Sequence, residues 1–134
     1  MNVQQALSDL TEISSQIEAA LVLDTDGSTM AATLDDTRAQ DLGRAANELL
    51  AAARRATDKE PAQLEVSTAD GSVFLVRDGE RTIVATTGPE PTVGLVFYDL
   101  KSCLRSVAAE EKPKPKPRAK RAPRKTESEA DAKA

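Results

Sequence analysis

Histidine and tryptophan are missing from this 134-residue chain, which carries one cysteine, one tyrosine and two phenylalanines. Each gap closes off a chemistry. Without histidine there is no Ser-His-Asp or Cys-His catalysis, no imidazole acid–base step and no histidine metal site. A lone Cys103 cannot close an intrachain disulfide or supply the several thiolates of a structural zinc site. The P-loop spacing Gly-x4-Gly-Lys-Ser/Thr is absent, so the chain is not itself a P-loop nucleotidase. Nor does the sequence stay apolar for long. Its longest runs, Ala19 to Leu23 and Leu49 to Ala53, are five residues each. A membrane span needs ~20, and no cationic-then-apolar leader opens the chain. These absences predict a soluble, cytoplasmic protein that is not an enzyme, holds no cofactor or metal and takes no small-molecule substrate.

What is present is charge, and it is divided. Residues 112–134 hold nine Lys/Arg and three acids, a net of +6, whereas the other 111 residues hold nine bases and nineteen acids, a net of −10. The overall value of −4 describes neither part. An acidic domain over 1–109 is therefore expected to precede a basic Lys/Pro/Arg-rich tail over 110–134. The tail offers no Val, Ile, Leu or aromatic side chain to bury. Ordering it would cost ~1–2 kcal/mol per residue without return, so it is expected to be disordered. Its alternating prolines favour extended polyproline II. Lys112, Lys114, Lys116, Arg118, Lys120, Arg121, Arg124 and Lys125 put eight cations in fourteen residues. Three readings stay open. The tail is a solubilising extension, an electrostatic anchor for nucleic acid, an anionic membrane surface or an acidic protein, or a strap that folds back on its own acidic domain. With no aromatic interleaved for base stacking, it is not expected to read nucleic-acid sequence.

Periodicity supplies the folded part. Val3, Leu7, Leu10, Ser14 and Ile17 fall at i, i+4, i+7, i+11 and i+14, with Ala6 and Ile13 beside them, which predicts a helix over 3–17 capped by Asn2. A short aliphatic strand follows over 19–24. Thr25-Asp-Gly27 turns it back into 28–33, because Asp and Gly tolerate the positive φ that a hairpin turn requires. Asp35 and Asp36 suit the start of a second helix running to about residue 57, whose apolar face is mostly alanine. Gly43 costs that helix ~1 kcal/mol relative to Ala; it is neutral drift, or something packs closely there. Three strands are predicted over 63–68, 72–77 and 81–87, joined at Asp70-Gly71 and Asp78-Gly79. Val73 to Val76 is apolar on both faces and reads as central, with Ile83, Val84 and Ala85 intermediate. Residues 92–109 have strand propensity at Val93 to Tyr98, but Val93, Val96, Leu100, Cys103, Leu104 and Val107 keep helical spacing, so a third helix is predicted.

Candidate chemistry is thin. Asp24/Asp26 and Asp35/Asp36 are better explained by turns and caps than by a hard-cation site or an acid pair. Cys103 sits on an apolar stripe and reads as a buried thiol. Thr86-Thr87-Gly88 reads as a strand end. Arg44, Arg54 and Arg55 could stabilise phosphoryl-transfer charge in a partner's site, but a solvated helix face explains all three, and none is nominated.

The order helix, hairpin, helix, three-strand meander, helix, with Ala-Leu-Val-Leu-Asp-Thr-Asp-Gly at 20–27 and Gly-Leu-Val-Phe-Tyr-Asp-Leu at 94–100, resembles the Roadblock/dynein light-chain family. It looks most like the bacterial MglB-like members that sit beside Ras-like GTPases. The resemblance covers roughly residues 3–108. It implies an α/β (α+β), profilin-like fold: one five-stranded antiparallel sheet with helices on both faces, order α-β-β-α-β-β-β-α, the third strand at an edge. It further implies a homodimer joined through that edge and the second helices, forming a non-catalytic platform for a small Ras-like GTPase. The basic tail, Gly43 and the scarcity of aromatics depart from the family pattern without removing an element.

The residues favour pairing independently. So small a domain with few large side chains buries a modest core, and Leu64 and Val66 on an edge strand would expose a template for further strand pairing. The expected interface is Leu42, Ala46, Leu49, Ala53, Leu64 and Val66. The alternative function is an oligomeric anchoring protein that presents its basic tails to nucleic acid or an anionic membrane.

Overall fold

Two side-chain caps set where the first helices begin. In the computed structural model, which describes residues 2–111, Asn2 accepts a hydrogen bond from the Gln5 amide and opens α1 (Val3–Ile13). Asp35 accepts from the Arg38 amide and opens α2 (Asp36–Thr57), whose first turn adds Asp36 to match the helix dipole. Asp58 ends α2 in the left-handed region at φ 63°. Between these helices lie β1 (Ile17–Leu23) and β2 (Thr29–Ala32); after them come β3 (Gln63–Thr68), β4 (Gly71–Asp78), β5 (Arg81–Thr87) and α3 (Val93–Glu111). The element order is the expected one. The tail cations Lys112 through Lys125 lie outside the described residues, and α3 reaches two residues past the boundary read at 109.

All strand pairs are antiparallel, and the spatial order is β2-β1-β5-β4-β3. Both sheet faces carry helices. One face gathers Ile17, Ala20, Val22, Phe74, Val76, Ile83 and Ala85 under α1 and α3, which supply Leu7, Leu10, Val96, Leu100, Leu104 and Val107. Phe97 closes this layer with its ring edge-on to Phe74, centroids 5.0 Å apart. The other face holds Leu21, Leu23, Leu75 and Val84 against Ala39, Ala46 and Leu50 of α2. Thus, among the described residues, one side of the sheet has two helices and the other has one.

Four details differ from the sequence reading. α1 stops at Ile13 rather than 17: Ser14 turns extended, and Ile17 pairs with Thr87 at the start of β1. Ser14-Ser15 favour caps and turns over helix interior, while β-branched Ile17 packs well in a strand. Ile13, left at the helix end, is 76% exposed. The strand read as intermediate, β5, is the middle of the sheet, with Ile83, Val84 and Ala85 fully buried. Its flanking threonines mask this position in the sequence, since Thr82 and Thr87 are buried too. Finally, the tight connections sit one residue away from the Asp-Gly pairs: Thr68 faces Gly71 across Ala69-Asp70, and Asp78 faces Arg81 across Gly79-Glu80.

Gly43 is buried where α2 crosses the β1–β2 hairpin. A methyl group there would meet Thr29 Oγ1 at 3.4 Å and Leu23 Cδ2 at 3.5 Å, ordinary contact distances. The helix packs closely at this turn, yet room for one methyl remains.

Candidate functional site

The single-helix face of the sheet is the exposed apolar feature most directly built by the fold. α2 makes its main contacts with β1 and β2, which leaves the β4–β3 side of that face thinly covered. Registers put Leu64 opposite Leu75 and Val66 opposite Val73, all on the α2 side. Leu64 and Val73 are half-buried, and Val66 is 41% exposed. Along the helix, Leu42, Leu49 and Ala53 are half-buried, with Ala45, Ala52 and Ala56 exposed beside them. Where β1 and β5 pass the first half of α2, a hollow of about 370 Å³ opens between Ala19, Thr86, Leu34 and Leu42, with the charged Arg38 and Asp41 also lining it. Helix flank and outer strands leave apolar side chains half-buried or exposed on this face up to the β3 edge, while the hollow has a mixed lining.

That edge is unusual for its lack of protection. Among the described residues β3 pairs with β4 alone, so one side of its backbone presents donors and acceptors with no described strand beside them. No proline, bulge or lysine interrupts Gln63–Thr68; its one charge is Glu65.

Of the six residues expected at an interface, five contribute to this surface. Ala46 does not: at 2% exposure it faces the sheet of its own subunit, packed beside Leu50. It falls on the same helical stripe as Leu42, Leu49 and Ala53 in a sequence view, and only the position of the sheet separates inward from outward. Val73 and the Leu34–Thr86 hollow belong to the surface but were not anticipated, since Val73 sits in an apolar run that reads as central strand.

The remaining candidates resolve into structural roles. Asp26 accepts from both the amide and hydroxyl of Ser28, and the hydroxyl bond chiefly holds its carboxyl below the usual value. Asp24 accepts from the Thr25 amide and faces Arg81 Nη1 at 3.4 Å. Arg44 pairs with Asp41 on the exposed flank of α2. Arg54 donates through Nε and Nη2 to Glu60, and Arg77 Nε reaches the same carboxylate at 2.7 Å. Glu60 is thereby held below the ordinary carboxylate range, first by its bond from Arg54. This trio ties the end of α2 to β4 just ahead of the free edge. Cys103 is buried against α1, its thiol 3.6 Å from the Ala6 carbonyl oxygen; burial, with a contribution from Asp9, pushes its pKa up to about 11. No group of three or more His, Cys, Asp or Glu among the described residues could hold a metal ion. No helix among them is long and apolar enough to cross a membrane.

The comparisons with known proteins agree with the fold. Residues 3–87 match the model of the Roadblock/LC7 domain. No curated protein matches in sequence. Among solved structures, a Roadblock/LC7 domain from Streptomyces avermitilis superposes with a TM-score of 0.75 at 18% identity, covering 82% of this chain and 98% of that one. Myxococcus xanthus MglB gives 0.67 at 14% identity, over 81% and 94%. Acanthamoeba castellanii profilin IA gives 0.54 at 16%, over 80% and 98%. At these identities the structural likeness concerns the fold.

Proposed function

The chain belongs to the Roadblock/LC7 domain family, and from that premise we propose that it is a homodimeric, non-catalytic adaptor for a small Ras-like GTPase. Two copies join through the β3 edges and the flanks of α2, making a ten-stranded sheet with the paired helices on one side. The GTPase docks on that helix-and-sheet platform, and the adaptor regulates its nucleotide cycle or its position in the cytoplasm.

One observation carries this reading. The half-covered sheet face and the bare β3 edge are contiguous, so a single two-fold contact would bury Leu42, Leu49, Ala53, Leu64 and Val66 and satisfy the edge at once. The GTPase comes from the resemblance to MglB-like proteins, supported by the structural likeness to Myxococcus xanthus MglB.

The test is sedimentation of the full chain at tens of micromolar, followed by titration into a purified bacterial Ras-like GTPase loaded with GDP or a GTP analogue. A dimer that binds with a preference between nucleotide states is expected. A monomer would remove the platform, and equal failure to bind in both states would remove the partner. Removing residues 112–134 should leave GTPase binding intact. If activity instead disappears with the cations Lys112 through Lys125, the second reading prevails: an anchor for nucleic acid or an anionic membrane, strengthened by display of two tails.

A further inference from the structure

The opposite side of the sheet has its own opening, a groove of about 300 Å³ between α1 and α3. Leu10 and Cys103 lie at its floor, while Ile13 and Tyr98, 76% and 63% exposed, stand along its length. The charged side chains that line it are both carboxylates, Asp9 from α1 and Asp99 from α3. Lys101 and Arg105 of α3 are exposed and are not among the residues that line it. An apolar trough with an aromatic wall and two acids fits a ligand that is extended, proline-bearing and cationic.

This chain carries such a segment. We propose that the α1–α3 groove is the docking site for the chain's own basic stretch, Lys112–Lys125.

Composition, charge and reach all favour that occupant. Residues 112–125 read Lys-Pro-Lys-Pro-Lys-Pro-Arg-Ala-Lys-Arg-Ala-Pro-Arg-Lys, eight cations without an acid, while the preceding residues hold a net of −10. Alternating prolines pre-set a polyproline II conformation, which lowers the entropy lost on docking and suits aromatic-walled grooves. From Tyr98 to Glu111 is thirteen residues of helix, ~20 Å at 1.5 Å per residue. An extended strap rising ~3.1 Å per residue retraces that length in about seven residues. Running back along α3 from Glu111, it brings Pro113–Pro117 past Ser106 and Ser102 to Tyr98, with lysines at every second position to meet Asp99 and Asp9. Covalent attachment supplies an effective concentration in the millimolar range, so a contact too weak to hold a free peptide is populated. The groove lies across the sheet from α2 and β3, and docking there neither requires nor prevents pairing through that face.

The full chain tests this directly. Cys103 is buried with its thiol pKa at about 11, so a nitroxide attached to Ala119→Cys labels the tail selectively at neutral pH. Docking predicts selective loss of amide NMR intensity over 9–13 and 98–106, recovered in about 0.5 M salt, where charges a few ångströms apart are screened. The pair Asp9→Asn with Asp99→Asn abolishes the loss, and Asp70→Asn, on a distant turn, leaves it intact. Tyr98 is the chain's one tyrosine and there is no tryptophan, so its emission should shift with the same salt dependence. No localised loss, loss confined to α2 and β3, or loss that survives the double substitution overturns the proposal. So does broadening that appears only between molecules when labelled chain is mixed with unlabelled isotope-enriched chain.

Discussion

Val66 on the outermost strand stands directly across from Val73, and both side chains lie on the sheet face that α2 covers only in part. Val73 is half-buried by its own subunit, while Val66 is 41% exposed. A β-branched pair so placed has nothing to gain from solvent. If the edge is a dimer seam, Val66→Lys places a charge at its centre while costing the isolated subunit little. The expected result is weaker dimerisation by about 2 kcal/mol, roughly 30-fold, for Val66→Lys and for Leu49→Glu. Asp26→Asn, on the β1–β2 turn, should dimerise normally. Sedimentation equilibrium reads all three, and circular dichroism confirms that each stays folded. Full dimerisation of Val66→Lys would place the seam elsewhere.

Gly43 and Gly71 should respond to alanine in opposite directions. At Gly43 the new methyl meets Thr29 and Leu23 at contact distance, and the helix regains propensity worth up to ~1 kcal/mol. At Gly71 it would run into the Thr87 carbonyl oxygen of β5, and overpacking of that kind costs ~1–3 kcal/mol. Urea unfolding of the two variants gives the signs. A destabilised Gly43→Ala would show that the hairpin leaves no room for the methyl.

Glu60 makes stability depend on pH in a defined sense. Its carboxyl lies below the ordinary 4.5 because Arg54, then Arg77, favour the charged form. A group depressed in this way stabilises the fold above its unfolded value, and the contribution disappears as pH falls through the folded value. Glu60→Gln should therefore lower Tm near neutrality by a small amount, because the carboxylate is solvent-exposed. The gap should close as pH drops below about 4.5. A gap that is the same at both ends of that range would show that charge is not what the residue contributes.

Cys103 should be inert in the folded chain. Burial raises its thiol to about 11, so at pH 8 a thiol-directed disulfide reagent should react slowly until denaturant is added. A raised value also means that folding opposes ionisation. Stability should fall as pH rises from about 9 towards 11, and Cys103→Ala should flatten that fall. Rapid modification of native protein at pH 8 would indicate frequent parting of α1 from α3.

Most of the architecture was legible because it is local. The caps at Asn2 and Asp35, the glycine-bearing turns at Gly27 and Gly79, and the helical spacing of Val96, Leu100, Leu104 and Val107 are short-range features with short-range causes. The stop of α1 was obscured because Ile17 satisfies a helical period and a strand equally well, and only its pairing with Thr87 chooses between them.

The surface was legible in part. Leu64 and Val66 follow from alternation along β3, since a period of two fixes their common side. Ala46 faces the sheet of its own subunit while Leu49 lies on the flank, a split the sequence hides because an alanine-rich helix shows no strong contrast between its faces. Which alanines turn inward is settled by where the sheet lies. The elements, their order, the absence of histidine and the division of charge can all be read from residue identity and near neighbours. Long-range packing alone makes β5 central, leaves one sheet face with a single helix among the described residues and brings Asp9 and Asp99 to one groove, because those relations join residues far apart in the chain.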